Sequence, residues 1–305
     1  MPKEKIPLYH LYNLVTLPLD PGEFMIESFG PYLGRQSPHL HHAHRHVFYH
    51  LVCFTGGSGS HSIDFTRFPV EAGQIYFMAP GQVHSWNFED QPEGYVINFS
   101  VDFLRQFLLN PNFLDRFDFF SGRAEDSVCR ISGMLKEKVY ALLEDMLASQ
   151  ADRNGDMLRV QLLELFLLVQ GGVDGVAAPG ATDGAGAAAA GSGASGQKQA
   201  LLAHLRRLIE QHYKTLRRPG EYAELLHITP NHLNALCQEM LGRPAGEVIR
   251  DRVLLEAKRL LTNADMTAAE IANELNFDDN SYFSRFFKKY EGATPDEFRR
   301  RHLVK

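Results

Sequence analysis

The sequence contains little cysteine and no long apolar run. Its three cysteines, Cys53, Cys129 and Cys237, are odd in number and far apart among 305 residues. Such spacing builds neither a disulfide framework nor a metal site, so we expect packing residues in a reducing compartment. No apolar stretch reaches the roughly 18 residues of a membrane span, and the amino terminus lacks the apolar segment of a signal peptide. We therefore expect a cytoplasmic protein that does not contact a membrane.

A net positive charge, the usual mark of a nucleic-acid-binding chain, is also absent. The formal net charge is −6 at pH 7. The charges are distributed unevenly, because residues 198–305 contain 18 basic and 15 acidic side chains, whereas residues 1–197 contain 13 and 22. This asymmetry favours nucleic-acid binding by residues 198–305 alone. Because their excess of positive charge is modest, we expect affinity to depend on the placement of side chains and on dimerisation.

Residues 171–197 read GGVDGVAAPGATDGAGAAAAGSGASGQ and consist largely of Gly, Ala and Ser. This composition offers almost nothing to bury and shows no period, which predicts a flexible linker. We therefore expect two parts that fold independently, one before residue 171 and one over residues 198–305.

The segment from Thr267 to Gly292 has the pattern of two short helices joined by a tight turn. Thr267 can cap a first helix that ends near Asn276, and Asp279 can cap a second helix that Gly292 ends. The second helix would bury an apolar side made of Phe283, Phe286, Phe287 and Tyr290. Its opposite side would present groups that can read base edges or neutralise phosphates, namely Asn280, Ser281, Ser284, Arg285, Lys288 and Lys289.

The same segment resembles the AraC/XylS family of bacterial transcription regulators. The matching motifs are A-K-R-L-L, E-I-A, N-F-D-D-x-S-Y-F-S-R-F-F-K-K and G-x-T-P-x-E-F-R. Asn276 stands where the family usually carries Gly, and Asn tolerates the left-handed backbone of such a turn. The resemblance implies a sequence-specific, effector-responsive regulator, which we expect to be an activator and not an enzyme. Its implied partners are double-stranded DNA and RNA polymerase.

The resemblance also implies a first helix-turn-helix unit upstream, and the sequence supplies one. Residues 221–226 would form a short amphipathic helix, and Thr229 would cap a second helix from Pro230 to Leu241. The inward side of that second helix would be Leu233, Leu236 and Met240. Its outward side, where family members read bases, would be Asn231, Asn234, Ala235 and Gln238.

A helix over about residues 246–261 would join the two units into an all-α double helix-turn-helix domain. Asn231 and Asn280 lie 49 residues apart. This separation would set both recognition helices into successive major grooves, roughly 34 Å apart. Ala235 offers only a methyl group to a base, so we expect the second unit to discriminate more strongly than the first.

Between Phe24 and about Val101, short alternating or aromatic segments are separated by turn residues. Their spacing indicates a small barrel or sandwich, with predicted strands at 48–54, 60–65, 73–78 and 95–99. A histidine cluster near residue 44, a glycine-rich hairpin at 56–59 and the segment Pro80–His84 resemble the cupin-type sensory domain that precedes many AraC-like DNA-binding units. This resemblance implies a cupin-like β-barrel over residues 1–100 that binds a small-molecule effector.

Histidine is the unusual component of this barrel, at positions His39, His41, His42, His44, His46, His50, His61 and His84. Residues 44, 46, 48 and 50 would share one face of a strand. We expect an effector pocket without a cofactor, lined by His44, His46, Phe48, His50, Tyr76, Met78, His84 and Trp86. Two alternatives stay open. The aromatic members can be plain core, and four imidazoles can bind zinc, iron, nickel or copper through His44, His46, His50 and His84.

From residue 101 to 170 the pattern is helical. Within it, a seam spaced four, three and four is formed by Leu158, Leu162, Leu165 and Val169. This seam predicts a short coiled coil and a homodimer, with residues 101–170 as the dimerisation segment. The alternative is that the same residues cover the barrel.

Three functional hypotheses remain at this point. The first is the effector-responsive regulator. The second is a metal-binding cupin, either sensor or enzyme, fused to a DNA-binding domain. The third is an interaction module whose barrel binds another protein.

Overall fold

The computed structural model describes residues 7–11, 23–40, 43–108, 110, 113–172, 194–262 and 266–302. The described residues fall into two compact units, one within residues 7–172 and one within residues 194–302. Most of the predicted linker, residues 173–193, lies outside the described residues, as do His41, His42 and the side chain of His39. None of the helices in the described ranges combines the length and the apolar composition that a bilayer crossing needs.

The strands of the amino-terminal unit are β1 (Leu8–Tyr9), β2 (Phe24–Ser28), β3 (Arg45–His46), β4 (Tyr49–Gly56), β5 (Gly59–Ile63), β6 (Thr66–Val70), β7 (Gln74–Met78), β8 (His84–Phe88), β9 (Glu93–Phe99) and β10 (Val128–Arg130). Five of them form one sheet in the order β10-β7-β4-β9-β2, and three form another in the order β6-β5-β8. β1 pairs with β3 in parallel, and an isolated antiparallel bridge joins His44 to His84. This is the cupin-like barrel that the sequence predicts.

Strands of the five-stranded sheet alternate between two buried faces. In β4, Val52 and Phe54 point to the barrel interior, where they pack with Trp86. The intervening Leu51 and Cys53 point to the outer face of the sheet. Because both faces are covered, the strand is apolar at nearly every position. All three cysteines are buried and unpaired with one another, and burial raises their thiol pKa, as expected of packing residues.

Four helices accompany the strands, namely α1 (Phe29–Leu40), α2 (Val101–Arg105), α3 (Gly133–Ala151) and α4 (Gly155–Gly172). The seam of α4 was expected to form a coiled coil, and this prediction is wrong. Its residues are at most 1% exposed and pack into the core on the outer face of the sheet: Leu158, Leu162, Leu165 and Val169. The sheet needs an apolar cover there, and α4 supplies it.

Two further boundaries differ from the prediction. Residues 101–170 are not wholly helical, because β10 pairs with β7 and covers an edge that would otherwise lack partners. The predicted linker is also shorter at both ends, since α4 runs through Gly172 and the next helix, α5 (Ala194–His212), starts before residue 197.

The rest of the carboxyl-terminal unit is helical, with α6 (Pro219–Leu225), α7 (Pro230–Leu241), α8 (Ala245–Leu261), α9 (Ala268–Glu274), α10 (Asn280–Glu291) and α11 (Pro295–His302). The long helix α8 contacts α6 and α7, which form the first helix pair, and α9 and α10, which form the second. Its apolar side is buried and includes Ile249, Val253, Ala257 and Leu261. This confirms the predicted joining helix.

Candidate functional site

The turn between α9 and α10 has the predicted geometry. Thr267 caps α9 by accepting from the backbone N–H of Glu270 at 3.2 Å, and the Glu270 carboxylate accepts in return from the Thr267 N–H at 2.7 Å. Asn276 adopts a left-handed backbone with φ of 55°. Asp279 caps α10 by accepting from the N–H of Tyr282 at 2.6 Å. The Asn in place of the family's usual Gly therefore does not disturb the turn.

The face of α10 that was predicted to meet DNA points to solvent. Asn280, Ser281, Arg285, Lys288 and Lys289 are exposed, and Ser284 is half-buried. On the opposite side only Phe283 and Phe287 are fully buried. Tyr290 was expected on that apolar side but is 39% exposed, because it lies one turn beyond the core, with the guanidinium of Arg250 4.2 Å from its ring centre.

The first unit repeats this arrangement with a turn one residue shorter. His227 takes the left-handed place of Asn276, with φ of 55°. Thr229 caps α7 by accepting from the N–H of His232 at 3.2 Å. Because α7 begins at Pro230 and α10 at Asn280, corresponding residues of these helices lie 50 apart. Asn231 of α7 therefore corresponds to Ser281 of α10.

On α7, Asn231, Ala235 and Gln238 are exposed and Asn234 is half-buried. The side-chain oxygen of Asn234 accepts from the backbone N–H of Ala245 at 3.1 Å, so this residue also holds the start of α8. Cys237, which was not assigned to the inward side, is buried, and Met240, which was, is half-buried.

The barrel histidines converge, although not along one strand. The chain bends at Val47 and Phe48, which separates β3 from β4. The bridge between His44 and His84 then brings their rings to 4.2 Å, with His46 5.0 Å from His44 and 4.8 Å from His84. The ligand atoms of these three imidazoles all lie within 4.8 Å of one another. We call His44, His46, His50, His61 and His84 the histidine cluster.

Two hydrogen bonds fix rings of the histidine cluster, and both follow from strand register. His50 faces Asn98 across β4 and β9, and its Nδ1 lies 2.5 Å from the Asn98 Oδ1. Because that oxygen can only accept, Nδ1 of His50 donates and its Nε2 keeps a lone pair. His61 Nε2 lies 3.1 Å from Nδ1 of His84.

Four imidazoles of the histidine cluster, those of His46, His50, His61 and His84, are neutral near neutral pH because their pKa values are lowered. Burial lowers the pKa of His50 to about 3. Burial, together with the neighbouring imidazoles, lowers the pKa of His46, His61 and His84 well below the ordinary value. Neutral imidazoles have lone pairs available for a metal or for a hydrogen-bond donor.

Aromatic rings fill much of the space beside the cluster. His61 stacks on Trp86 with ring centres 3.3 Å apart, and Phe48 stacks on His46 at 4.5 Å. The hydroxyl of Tyr76 donates to the carbonyl oxygen of Pro69 at 2.7 Å. All the predicted pocket residues are buried, but Tyr76, Met78 and Trp86 belong to the barrel core. Open clefts of about 390 and 610 Å³ lie elsewhere on this unit, and histidines of the cluster do not line them.

One member of the cluster, His61, and two of its neighbours, Asn98 and Tyr9, were not assigned to the site from the sequence. His61 follows from the register of β5 against β8, where it faces Trp86. Asn98 is a polar residue within the apolar run YVINF, and this exception to the pattern could have identified it from the sequence. Tyr9 contacts His44 edge to face at 5.6 Å, which depends on the parallel pairing of β1 with β3 and has no local signal.

Two family models match the chain. A model of an AraC-like ligand binding domain matches residues 29–167, and a model of a helix-turn-helix domain matches residues 222–301. The arabinose operon regulatory protein of Escherichia coli is 38% identical over 77 residues, which are 25% of this chain and 26% of that protein. The uncharacterized HTH-type transcriptional regulator YijO of Escherichia coli is 31% identical over 106 residues, 35% of this chain and 38% of that protein.

The chain therefore spans less than two fifths of the length of these curated relatives. Among solved structures, ToxT from Vibrio cholerae covers 91% of this chain and 95% of its own length, at 14% identity and a TM-score of 0.41. The barrel with its helical cover and the repeated helix-turn-helix units define a two-domain protein, with a ligand-binding type of domain before a DNA-binding type of domain. The matched models agree with both domains. The chain belongs to the AraC/XylS family.

Proposed function

We propose that the protein is a sequence-specific DNA-binding transcription regulator. The observation that carries this proposal is a repeat: α7 and α10 each begin at a side-chain cap, end at a left-handed glycine and expose polar side chains at corresponding positions. The proposed contacts with DNA are Asn231, Asn234, Ala235 and Gln238 from α7, and Asn280, Ser281, Ser284, Arg285, Lys288 and Lys289 from α10. Relatives that are regulators support the same function.

In this proposal the protein acts as a regulator and not as an enzyme, and RNA polymerase is its partner in activation. The barrel would bind an effector through the histidine cluster and its neighbours and alter DNA binding by the other unit.

Homodimerisation is also proposed, through the outer side of α4. Met157, Val160 and Leu167 are 45%, 45% and 49% exposed there and recur at helical spacing. Sedimentation of the full chain as a monomer at micromolar concentration would contradict the dimer.

Selection from a pool of random double-stranded DNA tests the main proposal without knowledge of the operator. We expect the full chain to enrich one motif that contains two contacted sites about 10 base pairs apart. Recovery of no preferred motif at physiological salt would overturn the proposal.

Variants of Arg285 and Lys288 distinguish the reading of bases from contact with phosphates. Arg285→Ala should weaken binding to the selected motif by roughly 1 to 3 kcal/mol while changing binding to random DNA less. Lys288→Ala should weaken both about equally and lower the salt dependence by about one charge. Equal losses on selected and random DNA for Arg285→Ala would show that Arg285 does not read bases.

A further inference from the structure

The histidine cluster has the composition and the compactness of a metal site. His44, His46 and His84 are 0%, 4% and 2% exposed, and each offers a nitrogen within 4.8 Å of the others. A tetrahedral ion with bonds of about 2.1 Å brings its ligand nitrogens to about 3.4 Å from one another. The ligand nitrogens therefore have to approach one another by up to about 1.4 Å, which is within the reach of small side-chain rotations.

Nδ1 of His50 and Nδ1 of His84 are each hydrogen-bonded, as the nitrogen that does not bind the ion is in metal-binding histidines. A ligating imidazole usually donates its other N–H to a neighbouring group, which sets the ring orientation and the tautomer. His50 Nδ1 donates to Asn98, and His84 Nδ1 pairs with His61 Nε2. In both residues this leaves Nε2 as the nitrogen available to an ion.

Nε2 of His50 and Nε2 of His84 are both buried and have no hydrogen-bond partner among the described residues. A buried polar atom without a partner is unfavourable, and native proteins rarely keep one without a reason. Two such atoms in one cluster give this site the capacity to bind a further group.

The surroundings favour an ion over an organic ring. Trp86 stacks on His61 on one side, and Phe48 stacks on His46 on the other. These contacts take up the space beside the imidazoles, whereas an ion requires only the space between them.

We propose that His44, His46 and His84 bind a divalent transition-metal ion, with His50 beside the fourth coordination position. Imidazole nitrogens suit zinc, copper, nickel, cobalt and ferrous iron, and this set excludes magnesium and calcium, which prefer oxygen. Within the described residues the ligand group contains no carboxylate. The ion therefore keeps its full double charge, which favours an anion such as hydroxide or a carboxylate as a further ligand.

Metal binding by this cluster does not depend on the regulatory function. A role of the bound ion as the effector of the regulator rests on the proposed function, so ion binding and its effect on DNA binding need separate experiments.

The binding test uses the full chain without an affinity tag, freed of metal by a chelator and titrated with Zn²⁺ or Co²⁺. Trp86 is the only tryptophan of the chain and touches the cluster through His61, so its emission should change on binding. We expect one ion per chain with micromolar or tighter affinity. Co²⁺ should give the visible absorption of a nitrogen-coordinated ion, and X-ray absorption of the zinc form should show three or four imidazole nitrogens at about 2.0 to 2.1 Å.

Single variants then assign the ligands. His44→Gln and His84→Gln should each weaken binding by at least about 100-fold, and His50→Gln by roughly 10-fold. His232→Gln, on the exposed side of α7, and a double replacement of His41 and His42 should keep wild-type affinity. Circular dichroism and Trp86 emission of the metal-free variants show whether each barrel folds.

The metal site is overturned if the wild-type chain binds neither ion, or if X-ray absorption shows a shell of oxygens only. It is equally overturned if His84→Gln binds as well as the wild type or if only the His41 and His42 replacement abolishes binding. The role as effector is tested with the DNA motif selected by the full chain. An affinity for that motif that is the same with and without Zn²⁺ would refute the effector role while leaving the metal site standing.

Discussion

Arg217 connects the two helix-turn-helix units, and its replacement should destabilise the carboxyl-terminal unit. Its side chain precedes α6 but reaches the turn of the second unit. There Nη2 donates to the carbonyl oxygens of Leu275 and Asn276, the latter at 3.4 Å. The guanidinium carbon also lies 3.9 Å from the ring centre of Phe277. The turn that orients α10 is therefore held by a residue of the first unit.

The expected size of the effect follows from these contacts. A hydrogen bond to a charged group is worth about 1.5 to 3 kcal/mol, and a cation over an aromatic face about 0.5 to 2 kcal/mol. Arg217 is only half-buried, so solvent reduces both contributions, and burial itself opposes the charge, as the lowered pKa of Arg217 shows. We expect Arg217→Ala to lower the free energy of unfolding of this unit by about 2 kcal/mol. This corresponds to a midpoint shift on the order of 1 M urea.

The single tryptophan makes the assay specific. Trp86 is buried in the barrel, so its emission follows unfolding of the amino-terminal unit, while far-ultraviolet circular dichroism also reports the helices of the other unit. Arg217→Ala should shift the circular dichroism transition and leave the Trp86 transition in place. Arg218→Ala is the matched control, since it removes the same charge from an exposed neighbour. Equal shifts for the two variants, or a shift of the Trp86 transition, would refute the reasoning.

Two further predictions concern the cover of the barrel and the start of α10. Leu165→Ala, at a site only 1% exposed, should destabilise the barrel by about 2 to 5 kcal/mol in the Trp86 transition, whereas Met134→Ala, 77% exposed on α3, should cost less than about 0.5 kcal/mol. A small loss for Leu165→Ala, accompanied by dissociation of a dimer, would restore the coiled-coil interpretation of that seam. Asp279→Ala removes the cap that accepts from Tyr282 and should cost about 1 kcal/mol in the circular dichroism transition, and Asp278→Ala, also exposed, should cost almost nothing. The same stability for both variants would mean that the cap does not hold α10.

The features predicted correctly from the sequence are those that neighbouring residues determine. The caps at Thr229, Thr267 and Asp279 and the left-handed Asn276 depend on contacts within a few positions. Helix α1 was missed because its sequence, FGPYLGRQSPHL, contains two glycines and two prolines that normally argue against a helix. Burial of Phe29 and Tyr32 in the barrel interior outweighs that local preference.

The features predicted incorrectly depend on which surface a segment meets. A seam spaced four, three and four fits a partner helix and a covered sheet equally well, so only the fold shows that Leu162 faces the barrel. In the same way, the pairing of His44 with His84 joins residues 40 positions apart, and no local pattern contains it. The convergence of the histidines could be suspected from their number, but the assignment of His61 and Asn98 needed the register of the strands.

The 50-residue repeat shows where the two DNA-facing helices differ. Positions that carry Arg285, Lys288 and Lys289 on α10 carry Ala, Gln and Glu on α7. The last of these, Glu239, accepts from the Lys198 ammonium at 2.6 Å, so this pair adds no net positive charge to the first unit. The cationic groups that can neutralise phosphates and read guanine are therefore concentrated on α10. We expect both the salt dependence and most of the sequence discrimination to come from the second unit, with α7 contributing hydrogen bonds from Asn231 and the rigid start of α8.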